Sequence, residues 1–121
     1  MFKNWPKMAE DLNPLISGLR AGASDVMKAF GLMSQGASKP GALDAKTKEL
    51  IAFALSVSSR CDPCITYHAK AASKLGATRE EVNEALGMAI YMGAGPSVMY
   101  AAQALEAFDQ YEAARGASVA Q

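Results

Sequence analysis

A proline set between two cysteines fixes a helix start near the middle of this chain. Pro63 has no N–H to donate, so it suits the first turn of a helix, where that donor would lack a partner. In Cys61-Asp62-Pro63-Cys64 this places Cys64 inside the first turn and Cys61 just before it. The helix then runs to Gly76, a residue suited to a left-handed C-terminal cap. Cys64 and His68 stand at i and i+4, neighbours on one helical face.

The rest of the chain reads as helix on both sides of this point. No stretch alternates cleanly enough for a strand, and no repeat is visible. About six helical segments are expected. A short one runs from about Pro6 to Leu12, and Asn13-Pro14 looks like a fresh N-cap and first-turn proline. The stretch Leu15 to Met33 is broken by Gly18, Gly22 and Gly31, which predicts a hinge near Ala21 to Ser24. Ser24 caps a second helix carrying Val26, Met27, Phe30 and Met33. Residues 34–43 hold two glycines, a proline and two serines and are expected to form a loop.

Asp44 caps the third helix, which ends near Ser58 and shows Leu50, Ile51, Ala54 and Leu55 at helical spacing. After the cysteine helix, Thr78-Arg79-Glu80-Glu81 is a capping box. It opens a fifth helix with Val82, Ala85, Leu86, Ala89 and Ile90 along one face. Gly93-Ala94-Gly95-Pro96 ends that helix and starts a sixth, which carries Val98, Ala101, Ala102, Leu105 and Phe108 and is expected to fray after Arg115-Gly116. Gly93 and Gly95 are assigned structural roles in that turn. The whole is an all-α bundle in a single domain, 1–121.

Composition narrows the function. Half of the residues are apolar but only 7% are aromatic, much of the remainder being Ala and Met. Met27, Met33, Met88, Met92 and Met99 read as filler for a core or an interface. Twelve basic residues balance twelve acidic ones, so the electrostatic footprint of a nucleic-acid or membrane-surface binder is missing. The longest clean apolar run near the motif, Leu50 to Leu55, is far short of the ~20 residues a bilayer span needs. Residues 1–11 show no leader pattern, so a cytoplasmic location is expected. A secreted disulfide scaffold would carry more cysteines, spaced to close long loops. Two cysteines three apart in a reducing compartment point instead to redox or metal chemistry.

The spacing suits thiolate chemistry. An ordinary cysteine is roughly 3% ionised at pH 7. A helix N-terminus contributes about 1 kcal/mol towards the thiolate, and an adjacent imidazolium or hydrogen-bond donor adds to it. Such a thiolate attacks the O–O bond of a peroxide and becomes a sulfenic acid. A second thiol one turn away condenses with that acid to a disulfide, which an external dithiol then reduces. Cys64, inside the helix and beside His68, is the better nucleophile, and Cys61 the better resolver. Glu49, twelve positions before Cys61, lies among Leu50, Ile51, Ala52 and Phe53. If its helix packs on the next, its carboxylate faces the thiols and orients His68 or takes a proton.

The pattern Glu49, eleven residues, Cys61-x-x-Cys64, three residues, His68 resembles the signature of alkylhydroperoxidase D-like (AhpD-like) proteins of the carboxymuconolactone decarboxylase superfamily. The resemblance extends from about Pro40 through the Met92-Gly93-Ala94-Gly95-Pro96 turn to the last helix. It implies an all-helical fold, homotrimers or homohexamers joined through helices, and thiol-dependent reduction of hydroperoxides. By that likeness Cys64 forms the sulfenic acid, Cys61 is proton donor and resolving thiol, and Glu49 and His68 complete a proton relay. The implied partners are a hydroperoxide substrate and an external dithiol or disulfide-reducing protein, with no cofactor and no metal. Pro63 stands where the best-known peroxidase members carry a further histidine, so the relay is shorter here.

Other chemistries use these residue types. Cys61, Cys64, His68 and Glu49 are all acceptable zinc ligands, but structural zinc sites draw a second ligand pair from elsewhere, and no other Cys or His exists in the chain. A thioredoxin-like Cys-x-Pro-Cys needs a strand before it, and Lys46 to Ser59 reads as helix. Haem attachment needs His directly after Cys64, where Ile65 stands. The rival readings are a redox-responsive or metal-binding oligomeric module, and decarboxylase-type chemistry that would survive loss of both cysteines. Tyr67 and Tyr91 are candidates to line a pocket.

Overall fold

In the computed structural model, residues 1–120 are described, with side chains through Gly116; Gln121 lies outside the described residues. Five helices follow in order: α1 (Trp5–Gly22), α2 (Ser24–Ser38), α3 (Ala45–Ser58), α4 (Asp62–Lys74) and α5 (Arg79–Ala120). No strand occurs among the described residues. The all-α reading therefore stands, and among the described residues no helix is long and apolar enough to cross a membrane.

The central starts follow their caps. Asp44 accepts the Thr47 N–H at 2.7 Å, and hydrogen bonding from the Thr47 side chain and N–H holds its carboxyl below the usual aspartate range. The capping box is closed in both directions: Thr78 N–H donates to Glu81 Oε1 at 2.8 Å, and Glu81 N–H donates to Thr78 Oγ1 at 3.1 Å. Gly76 stops α4 with φ of +82°, a backbone state that glycine enters without penalty. The expected fifth and sixth helices run together as α5, interrupted by one non-helical residue, Ala94, at φ 53° and ψ −139°. Pro96 stands in the first turn of the second arm, two residues later. Gly93 is needed at this corner, because a Cβ there would lie 1.9 Å from Ser97 Oγ. Gly95 has no such neighbour within 4 Å. The second arm does not fray at Gly116 but continues to Ala120.

The first 44 residues depart from expectation. α1 is continuous through Asn13-Pro14, with Pro14 inside it. Its cap is Asn4, whose side chain accepts the Lys7 N–H at 3.1 Å, with Pro6 in the first turn. The two Asn/Pro signals look alike in sequence; only the first opens a helix, and the second is absorbed on an exposed face. Ser24 is the first residue of α2 rather than its cap, and Ala23 in the cap position offers no side-chain bond. α2 also runs on to Ser38, shrinking the expected loop at 34–43 to residues 39–44. Lys48 stabilises that extension by donating to the carbonyls of Ala37 and Lys39 at 3.0 and 2.6 Å.

The core lies where α3, α4 and α5 pack on one another, and the first turn of α1 closes one end. Phe53 and Val57 of α3, Ile65 and Ala69 of α4, and Val82, Leu86, Ala104 and Phe108 of α5 are buried together with Trp5. Two faces are rotated from their expected positions. α3 buries Phe53 and Val57 and leaves Ile51 and Leu55 exposed. It is apolar nearly all round, so spacing alone does not choose the inward face. The second arm of α5 buries Ala101, Ala104, Ala107, Phe108 and Tyr111, leaving Val98 and Ala102 exposed. Met33, Met88, Met92 and Met99 are exposed, so they do not fill the core of this chain.

Residues 1–5 are bound to α5 by polar contacts. Glu106 accepts the N–H groups of Phe2 and Lys3 at 2.7 and 2.9 Å and the Trp5 indole N–H at 2.8 Å. Gln110 accepts the Trp5 N–H at 2.9 Å and donates to the Lys3 carbonyl at 2.7 Å. Thr66 Oγ1 donates to the Trp5 carbonyl at 2.7 Å and lies 2.8 Å from the Tyr111 hydroxyl.

The Phe2 N–H, then those of Lys3 and Trp5, hold the Glu106 carboxyl below its ordinary value of 4.5. A depressed carboxyl contributes stability above the unfolded value and loses it as pH falls through the folded one. Emission from Trp5, the single tryptophan, is therefore expected to shift red below about pH 4.5 as this end detaches. The Glu106→Gln variant should show a weakened attachment already at pH 7 and little further change on acidification.

Candidate redox site

The link between α3 and α4 is three residues long, Ser59-Arg60-Cys61. Ser59, Arg60 and Cys61 donate their N–H groups back to Leu55, Val57 and Ser56 at 2.8, 3.1 and 3.2 Å. Arg60 takes φ of 53° to make the reversal. The chain re-enters helix with Cys61 at the N-cap and Asp62-Pro63 in the first turn, as the proline requires.

Cys61 and Cys64 form a disulfide, with Cα atoms 5.2 Å apart, a span within the normal disulfide range. Cys61 Sγ also accepts the Cys64 N–H at 3.2 Å. One of the N–H groups that a helix start leaves without a backbone partner is thus aimed at sulfur. Sequence spacing favours Cys64 by its nearness to His68, whereas this backbone donor serves Cys61.

Because α3 and α4 pack side by side, Glu49 reaches His68: the ring Nδ1–H donates to Glu49 Oε2 at 2.7 Å. Glu49 is only 16% exposed and His68 37%. With a carboxylate accepting at Nδ1, that nitrogen carries the proton and Nε2 is left to accept or donate elsewhere. The four residues singled out from sequence thus form two joined pairs, Cys61 with Cys64 and Glu49 with His68. His68 is one turn beyond Cys64 on α4.

Three residues that sequence reasoning did not single out also sit here. Lys3 Nζ lies 2.5 Å from Asp62 Oδ2, between the cysteines, and donates to Gln103 Oε1 at 2.7 Å. Gln103 also lines a groove of about 370 Å³ with Phe2, Met99, Ala102 and Glu106. Asp62 was in plain view inside the motif. Lys3 and Gln103 lie 59 and 41 positions from it, and no local pattern marks them. Tyr67 hydrogen-bonds Asn13 and the Ala9 carbonyl, tying α4 to α1, while Tyr91 is exposed. Among the described residues no group of three or more His, Cys, Asp and Glu side chains is placed to hold a metal ion.

Comparison with known proteins covers nearly the same span. A sequence profile of the carboxymuconolactone decarboxylase family matches residues 24–107. An uncharacterized protein of Cupriavidus necator is 40% identical over 103 residues, 85% of this chain and 91% of its own. A Paracoccus denitrificans protein, named uncharacterized protein 4 in cox locus, is 41% identical over 95 residues, 78% of this chain and 85% of its own. Among solved structures, the apo form of a carboxymuconolactone decarboxylase family protein from Legionella pneumophila superposes with TM-score 0.87 at 48% identity, over 89% of this chain and 96% of that one. A Thermotoga maritima member, for which involvement in an antioxidative response has been suggested, gives 0.81 at 30% identity, over 93% and 95%.

The Glu49–His68 contact has a direct spectroscopic consequence, since the chain has a single histidine. Nitrogen-15 NMR of the neutral ring should show the Nδ1–H tautomer. In Glu49→Ala the ring should revert to the mixed tautomers of a free imidazole. A mixed population in the unaltered protein would contradict the contact.

Proposed function

The chain belongs to the carboxymuconolactone decarboxylase family, and on that premise we propose that it is a thiol-dependent oxidoreductase that reduces hydroperoxides with Cys61 and Cys64. The observation that carries this reading is a disulfide at a helix N-terminus, one turn from a histidine held by a half-buried carboxylate. Each part has a task in the chemistry, and the suggested antioxidative involvement of the Thermotoga maritima member agrees with it.

The cycle starts from the dithiol. The Cys64 thiolate attacks the distal peroxide oxygen and the O–O bond breaks; Cys64 becomes a sulfenic acid, and the alkoxide takes a proton to leave as an alcohol. The Cys61 thiolate then attacks the sulfenic sulfur, and hydroxide leaves as water once protonated. His68, one turn beyond Cys64 on α4, is the proposed proton carrier, and Glu49 holds its Nδ1–H. The net change is two thiols and a hydroperoxide to one disulfide, an alcohol and water.

An external dithiol, small or carried by a disulfide-reducing protein, resets the pair. Its thiolate attacks Cys64 Sγ, the S–S bond breaks, and the electron pair leaves on Cys61, where the Cys64 N–H already points at the sulfur. The partner's second thiolate then frees Cys64. The groove beside Gln103, with Phe2 and Met99 in its wall, is the proposed seat for the organic part of a hydroperoxide. A reducing compartment such as the cytoplasm is the proposed setting.

We also propose that copies associate through helices into a trimer or hexamer. α2 has no buried residue, and Val26, Phe30, Leu32 and Met33 are all more than half exposed. A 15-residue helix that buries none of its residues is marginal in water. A second copy covering this surface supplies what the single chain lacks.

Two measurements test these proposals. Cys64→Ser should lower turnover of an organic hydroperoxide with a dithiol donor by about 100-fold or more, while Cys61→Ser should react once and stall as a sulfenic acid. Full turnover by Cys64→Ser would refute the thiol mechanism. Light scattering at micromolar concentration should give three or six times the chain mass, and a stable monomer would overturn the association.

A further inference from the structure

Asp62 is placed against the chemistry just proposed. It occupies the first helical position of α4, where a carboxylate is favourable to the helix. It is also the residue next to Cys61, and a negative charge there opposes the formation of a second one on sulfur. Left alone, it would offset the help that the helix N-terminus gives a thiolate.

Lys3 answers that charge. Its ammonium lies 2.5 Å from Asp62 Oδ2 and 2.7 Å from Gln103 Oε1, and 5.4 Å from the ring centroids of both Phe2 and Trp5. Its backbone is held from both sides, N–H on Glu106 and carbonyl on Gln110. The two side chains are 32% and 28% exposed, so the pair is partly shielded from solvent. An ordinary surface ion pair carries no such scaffolding and contributes little. Lys3 lies outside the residues 24–107 that match the family profile, so the profile itself does not mark it.

We infer that Lys3 is a positioning residue for the redox pair, holding its ammonium on Asp62 so that the aspartate does not oppose thiolate formation at Cys61. The inference rests on the thiol–disulfide reading above and deepens it. When an external thiolate attacks Cys64 Sγ and the electron pair leaves on Cys61, net negative charge appears beside Asp62. Charged or titratable groups on the neighbouring elements include His68 on α4, Glu49 on α3, Arg60 in the link and Glu106 on α5. Glu49 is engaged by His68, and Glu106 by three N–H donors. Lys3 is the cation in contact with Asp62.

The sign of the effect separates charge control from mere tethering. Lys3→Met and Asp62→Asn break the same ion pair, so a structural tether predicts shifts in one direction. Charge control predicts opposite directions. The measurement is the fraction of disulfide at equilibrium in glutathione buffers of graded ratio, pH 7. Lys3→Met should favour the disulfide by about three- to tenfold, Asp62→Asn should favour the dithiol, and the double variant should return towards the original value. Lys3→Arg should behave as the unaltered chain, and 1 M salt should shrink the Lys3→Met shift. Trp5 emission checks that each variant keeps residues 1–5 in place. Shifts of the same sign, or none in Lys3→Met, overturn the inference while the redox reading survives. If the unaltered pair does not exchange with glutathione at all, the redox reading fails and takes the inference with it.

Discussion

Cys61 sits at the N-cap of α4, and the site takes its form from that placement. An N-cap side chain can accept an N–H from the first turn, and here the acceptor is sulfur. The same position sets Asp62 and Pro63 as the first helical residues, closes the disulfide to Cys64 across one turn, and directs His68 one turn further. The short Ser59-Arg60 link makes this possible by turning the chain within hydrogen-bond reach of the end of α3. Since α3 is thereby held against α4, Glu49 needs no long side-chain excursion to reach the imidazole.

Legibility from sequence divides along one line. Features set by neighbours in the chain could be read: the cap at Asp44, the box at Thr78, the stop at Gly76, the corner at residues 93–96, and the cysteine helix itself. Features set by competition between similar local signals could not. Asn4-x-Pro6 and Asn13-Pro14 offer nearly equal starts, and the choice falls to whichever Asn has Trp5 beside it to bury. α3 is apolar on several faces, so the partner helices, not the pattern, decide that Phe53 and Val57 point inward.

The site follows the same division. The Cys/Cys/His spacing is local, whereas Glu49 depends on the packing of its helix against α4 and is reinforced by the resemblance to a known family. Lys3 and Gln103 meet Asp62 only after the fold has formed. Charge near a reactive pair is therefore poorly legible even when the pair itself is obvious, because a long side chain can arrive from any element that packs nearby. The exposed apolar set on α2 is the opposite case. Its residues were read correctly as helical, but the single chain buries none of them.

The disulfide joins residues only three apart. Cross-links stabilise a fold mainly by removing freedom from the unfolded chain, and they do so in proportion to the logarithm of the loop they close. For a loop this small the effect is about 2 kcal/mol, against about 4.7 kcal/mol for a 100-residue loop. Opening it therefore frees the unfolded chain far less than opening a long-range bridge would. Such a bond is poorly suited to serve as a staple and well suited to be broken often. The two oxidation states can share one fold, so that repeated cycling exposes little unfolded chain to proteolysis or aggregation.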